Sequence, residues 1–139
     1  MAWTVEIEPD PADVAFLEDR INEYNFATTG ITDGQLLALL VRDDGGRLVA
    51  GLYGWTWGGT CEVRFLWVQE GLRRQGTGRR LLVEAEAEAQ RRGCGQVVLS
   101  THSFQAPGFY RKMGYAVVGQ FDEYPAGHTL YFLRKPLRS

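Results

Sequence analysis

Apolar and polar positions alternate in two rhythms along this chain, and the switches between them predict its elements. Residues 4–8 (TVEIE) alternate with the period of two that a half-buried strand requires. Pro9-Asp10-Pro11 stops that run, and Asp10 is placed to cap a helix with Pro11 in its first position. Val14, Leu17, Ile21 and Tyr24 then recur at helical spacing, so a helix over about 11–26 is expected, broken at Thr28-Thr29-Gly30. Residues 36–42 read as a strand, Asp43-Asp44-Gly45-Gly46 as a hairpin turn, and Leu48–Trp57 as the returning strand. Gly58-Gly59 turns the chain again into a third strand, Thr60–Val68, and the three predict an antiparallel meander.

The strongest helical rhythm follows, over about 76–92. Leu81, Leu82, Ala85 and Ala89 form its buried stripe, Glu84, Glu86 and Glu88 are expected to face water, and Arg91-Arg92-Gly93 is a good stop. The short apolar run at 96–100 (QVVLS) predicts a strand covered on both faces. A short helix over 106–113, closed by Gly114, precedes two last strands, 115–121 and 129–133, around a loop holding Pro125 and Gly127. The order β α β β β α β α β β predicts an α/β fold. Its central sheet is mixed and mostly antiparallel, with helices on both faces. With no repeat, low-complexity tract or linker, residues 1–139 are expected to form one domain.

Composition narrows the class. At 139 residues, 45% apolar and 23% charged, the chain is long enough to bury a real core. A net charge of −2 and a pI of about 5.7 do not suit a nucleic-acid partner; the arginines between 73 and 92 are a local cluster. No apolar run approaches the roughly 18 residues of a membrane span, and the acidic start "MAWTVEIEPD" is not a secretory signal, so a cytoplasmic protein with no membrane partner is expected. Cys61 and Cys94 have neither metal-ligand nor redox spacing. They are expected to be idle thiols, and no metal is expected.

The candidate chemistry lies in "WVQEGLRRQGTGRRLLVEAEAEAQ", residues 67–90. Arg73-x-x-Gly76-x-Gly78 follows a strand and opens a helix. Glycines allow a sharp turn and close approach, the free N–H groups of the helix start favour an anion, and the flanking arginines add donors. A pyrophosphate is the natural guest. There is no Gly-Lys-Ser/Thr of a nucleotide P-loop, and no G-x-G-x-x-G in a βαβ unit.

"VQEGLRRQGTGRRLL" resembles the acetyl-CoA-binding motif of the GNAT superfamily of N-acetyltransferases, Arg/Gln-x-x-Gly-x-Gly/Ala. "FYRKMGY" (109–115) is similar to that family's Tyr-x-Lys-x-Gly-Phe/Tyr segment, in the right order and about 35 residues on. Arg74 stands where many members have glycine. The resemblance implies an acyl-CoA N-acyltransferase fold, acetyl-CoA as cosubstrate, and an amine of a small molecule or peptide as acceptor. It implies that the backbone of Leu66, Trp67 and Val68 bonds the pantetheine arm at a splayed strand. Arg73, Arg74, Gln75, Gly76, Thr77 and Gly78 would then cradle the pyrophosphate. Ser103 takes the place of a common asparagine that contacts the arm.

Acetyl transfer needs a neutral amine, and an alkylammonium with a pKa of about 10.4 must first lose a proton. Glu62, on the strand before the loop, is the candidate base, acting through water; strand pairing with Arg64 is the bland alternative. Tyr110, the motif tyrosine, is the implied proton donor to the departing thiolate. Trp55, His102, Tyr124 and His128 are candidate acceptor contacts, with His102 a rival base. The acids of "FDEYPAGH" favour a cationic acceptor, or are simply solvated. Trp55, Trp57 and Tyr53 share one strand face, which lines a pocket or packs in a homodimer. Direct attack in a ternary complex is expected, because no cysteine has an activating context. Two other readings stay open: a non-catalytic acyl-CoA-binding module, and a nucleotide-phosphate-binding protein.

Overall fold

A computed structural model describes residues 1–138. The chain divides into two compact units, Met1–Thr32 and the residues from Asp33 on. The first holds one helix, α1 (Pro11–Thr29). Asp10 caps it as its sequence predicts: the carboxylate accepts from the Ala12 amide at 2.9 Å, with Pro11 following. The helix takes in Thr28 and Thr29, where the Thr29 hydroxyl donates to the Asn25 carbonyl at 2.7 Å within the last turn, and Gly30 ends it. The strand expected at 4–8 is not formed. Alternation specifies a strand only where a ladder takes up its N–H and C=O groups, and the ladders of the sheet begin at Gln35.

The second unit is built on a six-stranded sheet. Its strands are β1 (Gln35–Arg42), β2 (Leu48–Trp57), β3 (Thr60–Val68), β4 (Gln96–His102), β5 (Ala116–Asp122) and β6 (Thr129–Pro136), in the order β1-β2-β3-β4-β6-β5. Every neighbouring pair is antiparallel except β3 and β4. A parallel pair needs a crossover, and α2 (Thr77–Arg91) supplies it, after a single 3-10 turn at Glu70–Leu72. A short helix, α3 (Pro107–Lys112), follows β4. The fold is thus α/β with a mixed, mostly antiparallel sheet and helices.

The α2 stripe packs as its spacing predicts. Leu81, Leu82, Ala85 and Ala89 are buried with Leu37, Ala50, Leu52, Cys61, Val63, Val97, Leu99 and Leu133 of the sheet. In β4 the buried residues are Val97, Leu99 and Thr101, while Val98 is half-buried and Ser100 exposed; the strand is alternating, not continuously covered as expected. Arg92 fastens the end of α2 to the meander. Its guanidinium bonds Glu88, the Leu36 carbonyl at 3.0 Å and the Thr56 hydroxyl at 3.1 Å.

Glu86 corrects the expectation of a solvent-facing acid. It is buried, accepting from the Tyr115 hydroxyl and from the Lys135 ammonium, each at 2.8 Å. It lies four residues after Leu82 and one after Ala85, so helix geometry puts it on the buried stripe; only its charge argued otherwise. Burial, then the bond to Glu86, pushes the Tyr115 hydroxyl well above the usual tyrosine range, so it stays a donor. Glu86 therefore joins α2 to β6 and to the segment after α3. We expect Glu86→Ala to destabilise the fold by about 2–3 kcal/mol, because it leaves a buried hydroxyl and a half-buried ammonium unpaired. Glu86→Gln should lose clearly less. Urea denaturation checks this, and equal losses would contradict it.

Candidate active site

The site begins where the sheet comes apart. β3 and β4 pair only from Thr60 with Gln96 to Val63 with Leu99. Beyond that point β3 continues to Val68 against β2, and β4 continues to His102 against β6. The inner edge of β3 after Val63 therefore has no ladder partner in β4, and its polar backbone groups must be met by water or a ligand. A cavity of about 600 Å³ fills the split. Residues 63–68 of β3 form one wall; Leu99, Ser100, Thr101, Phe104, Gln105, Ala106 and Tyr110 form the other, with Arg73 at the end.

A bulge sets the geometry of the first wall. Val63 faces Gly54 and Phe65 faces Tyr53, so Arg64 is an extra residue on β3. The crossing is so close that a Cβ on Gly54 would sit 1.9 Å from the Glu62 carbonyl oxygen and 3.1 Å from the Val63 Cα. Only glycine fits there. The face beside the bulge is aromatic, as expected for Tyr53 and Trp55: their rings stand 6.2 Å apart, and Tyr53 also stacks on Phe65.

The loop after β3 ends in an open helix start. Gly76 is the N-cap of α2 at φ 80, with no side-chain cap and no acid in the first turn. A left-handed N-cap favours glycine, and the first amides of α2 stay available with the positive end of the helix dipole. Gly78 has a different reason. A Cβ there would make only ordinary 3.7 Å contacts with Phe109 and Val68, so the protein has room for alanine. Glycine in a helix costs up to ~1 kcal/mol relative to alanine, so packing within the protein does not account for it. Arg73 donates from Nε to the Val68 carbonyl at 3.1 Å, holding the loop against the end of β3, with no bond from its terminal nitrogens among the described residues. Gln75 donates to the Gly71 carbonyl at 3.3 Å, inside the loop. Arg74 adopts φ 65, which explains why glycine suits that position in the resembling family.

Tyr110 is buried, packs against Phe109 and Tyr115, lines the cavity, and has no hydrogen-bond partner for its hydroxyl among the described residues. Burial pushes its pKa up to about 12, so the hydroxyl keeps its proton at neutral pH. Cys61 is buried and held protonated, its pKa up to about 11 by burial, and the buried Cys94 thiol is raised for the same reason. Neither thiol is an activated nucleophile.

The other expected residues fall into three places. Leu66, Trp67, Val68, Arg73 and Tyr110 line the cavity, and residues 74–78 form the loop and helix start beside it. Glu62 lies at the closed end of the split, level with Val98 on one side and Trp55 on the other, and forms no ion pair with Arg64 or any other described residue. His102, Tyr124 and His128 come together around a residue not anticipated, Phe104. His102 stacks on Phe104 at 5.2 Å and meets Tyr124 at 5.6 Å, and His128 meets Phe104 edge-on at 5.0 Å. Ser103 does not line the cavity: its hydroxyl accepts from the Thr129 amide at 3.1 Å and closes β6 onto the end of β4. Gln105, also unanticipated, accepts from the His102 amide at 2.7 Å and shapes the second wall.

A split parallel pair over an uncapped helix start defines an acyl-CoA N-acyltransferase fold. The chain belongs to the acetyltransferase (GNAT) family, which matches residues 2–115. It is 42% identical to the blasticidin-S acetyltransferase of Streptomyces morookaense over 96 residues, 66% of this chain and 68% of that one. It is 32% identical to the acetyltransferase Atu2258 of Agrobacterium fabrum over 119 residues, 86% and 87% of the two chains. The structure of an acetyltransferase from Bacillus cereus superposes with a TM-score of 0.80 at 30% identity, covering 96% of this chain and 98% of that one. An aminoglycoside 6'-N-acetyltransferase complexed with coenzyme A shares the fold at a TM-score of 0.66 and 19% identity, covering 75% and 74%.

Membership makes the chain an acyltransferase with an acyl-CoA cosubstrate, and its own residues fit that group. The free edge of β3 suits an extended polyamide arm, and the start of α2 with Arg73 suits a pyrophosphate. We expect Gly54→Ala to lower stability by about 3 kcal/mol, the upper range for overpacking, and to lower transferase activity more than any fold loss accounts for. Urea melts and initial rates on the same preparation check this; a fully active variant would contradict the role given to the bulge.

Proposed function

We propose that the protein transfers an acetyl group from acetyl-CoA to the primary amine of a small molecule or peptide, by direct attack in a ternary complex. The observation that carries this reading is Tyr110: a buried residue that lines the cavity of the split, its hydroxyl protonated and without a hydrogen-bond partner among the described residues. Tyr110 gives its proton to the departing thiolate. Glu62, unpaired at the closed end, takes the amine's proton through water. The free edge of residues 64–68 orients the pantetheine arm, and residues 73–78 hold the pyrophosphate. Buried, protonated thiols at Cys61 and Cys94 support direct transfer over an acetyl-enzyme. The named substrate of the blasticidin-S relative supports a small-molecule acceptor. We extend the reading to a single-domain cytoplasmic enzyme that self-associates through the aromatic face of β2.

The test is Tyr110→Phe, assayed with acetyl-CoA over a panel of amines. We expect kcat to fall about 10²-fold or more while the KM for acetyl-CoA changes little, as for loss of a positioned proton donor. An unchanged kcat, with chemistry rate-limiting, would remove Tyr110 from this role.

A further inference from the structure

The cavity is lined by two arginines, Arg64 and Arg73, and by no carboxylate. The two cations do different work. Arg73 is tied to the Val68 carbonyl beside the start of α2, at the anion end of the split. Arg64 is the bulge residue, four positions before Val68 on β3, so the two backbones lie roughly 13 Å apart along the strand. Arg64 thus stands on the strand wall of the cavity, while Arg73 is held in the loop at its end. Arg64 is exposed and forms no ion pair among the described residues; its guanidinium lies over the Phe65 ring at 5.4 Å. A cation–π contact uses none of the N–H donors of the fork, and their best partner is a carboxylate held by two hydrogen bonds.

The acids that favoured a cationic acceptor are engaged elsewhere. Asp122 accepts from Gln120 at 2.9 Å and from the Thr129 hydroxyl at 3.3 Å, and Glu123 accepts from the Gly127 amide at 3.0 Å. Neither lines the cavity. Two residues before Arg64, Glu62 stands just outside the cavity lining at the closed end of the split, forms no ion pair among the described residues, and is the nearest acid along β3 to meet an amine. Phe65, Trp67 and Phe104, all exposed at the cavity, suit an apolar body.

We propose that Arg64 selects the acceptor by binding its carboxylate, so that the acceptor class is α-amino acids with an apolar side chain. The proposal rests on the acetyl-transfer reading above. It is tested with the full chain and acetyl-CoA by comparing phenylalanine, phenethylamine, which lacks the carboxylate, and spermidine. The wild type should favour phenylalanine over phenethylamine at least tenfold in kcat/KM. Arg64→Gln should raise the KM for phenylalanine about tenfold with little change in kcat, so that the ratio between the two amines collapses toward one, and Arg64→Lys should recover part of it. Equal or better use of phenethylamine or spermidine by the wild type would overturn the proposal and leave the transfer reading standing. So would an Arg64→Gln variant that lowers every amine alike. Transfer to none of the three, with no hydrolysis of acetyl-CoA, would remove both.

Discussion

The contact between Gly54 and the Glu62 carbonyl is the constraint from which the site follows. Because the backbones of β2 and β3 touch there, β3 takes in one extra residue and turns away from β4. From that turn come the split after Val63, the free backbone edge, the cavity, and the projection of Arg64. A sheet normally pairs its strands to the end, and an unpaired buried edge would cost stability. Here the unpaired edge lines the cavity, and the neighbours β2 and β6 keep each diverging strand paired on its other side.

The rest of the molecule holds the two arms of the split apart and supplies charge at their mouth. On one arm, α2 packs its apolar stripe on the meander and presents an uncapped start beside Val68. The other arm, β4 with α3, packs Tyr110 into the core, where it also lines the cavity. The Glu86–Tyr115–Lys135 group ties the two arms together across the fold. Electrostatics are divided in the same way. The helix dipole and Arg73 favour an anion at the mouth, while Glu62 at the closed end has no ion pair among the described residues and the Tyr110 phenol on the cavity wall stays neutral.

Much of this was legible in the sequence where a pattern has a local cause. Leu48–Trp57 and Thr60–Val68 stand as expected to the residue, because glycine turns and alternation bound them. Asp10 and Gly76 announce helix starts by side-chain chemistry and by backbone freedom. What failed was non-local. Residues 4–8 have the alternation of a strand but no ladder. Glu86 was misplaced because its charge was weighed above its position on the helix. The bulge at Arg64 leaves no mark on β3 itself; its only trace is a glycine in the middle of β2, a residue that weakens a strand unless another backbone comes close. His102, Tyr124 and His128 were expected to border one site. The ring that joins them, Phe104, was missed because their meeting depends on β6 closing onto Ser103.

The central claim is that the split between β3 and β4 places the reacting end of the cosubstrate at the bulge, under the Tyr110 hydroxyl. A crystal structure with coenzyme A bound tests it most directly. The account predicts pantetheine amides paired with the free edge of residues 64–68, the pyrophosphate on the first amides of α2, and the sulfur within hydrogen-bond reach of the Tyr110 hydroxyl. An arm lying outside the split, or a sulfur pointing away from Tyr110, would contradict it.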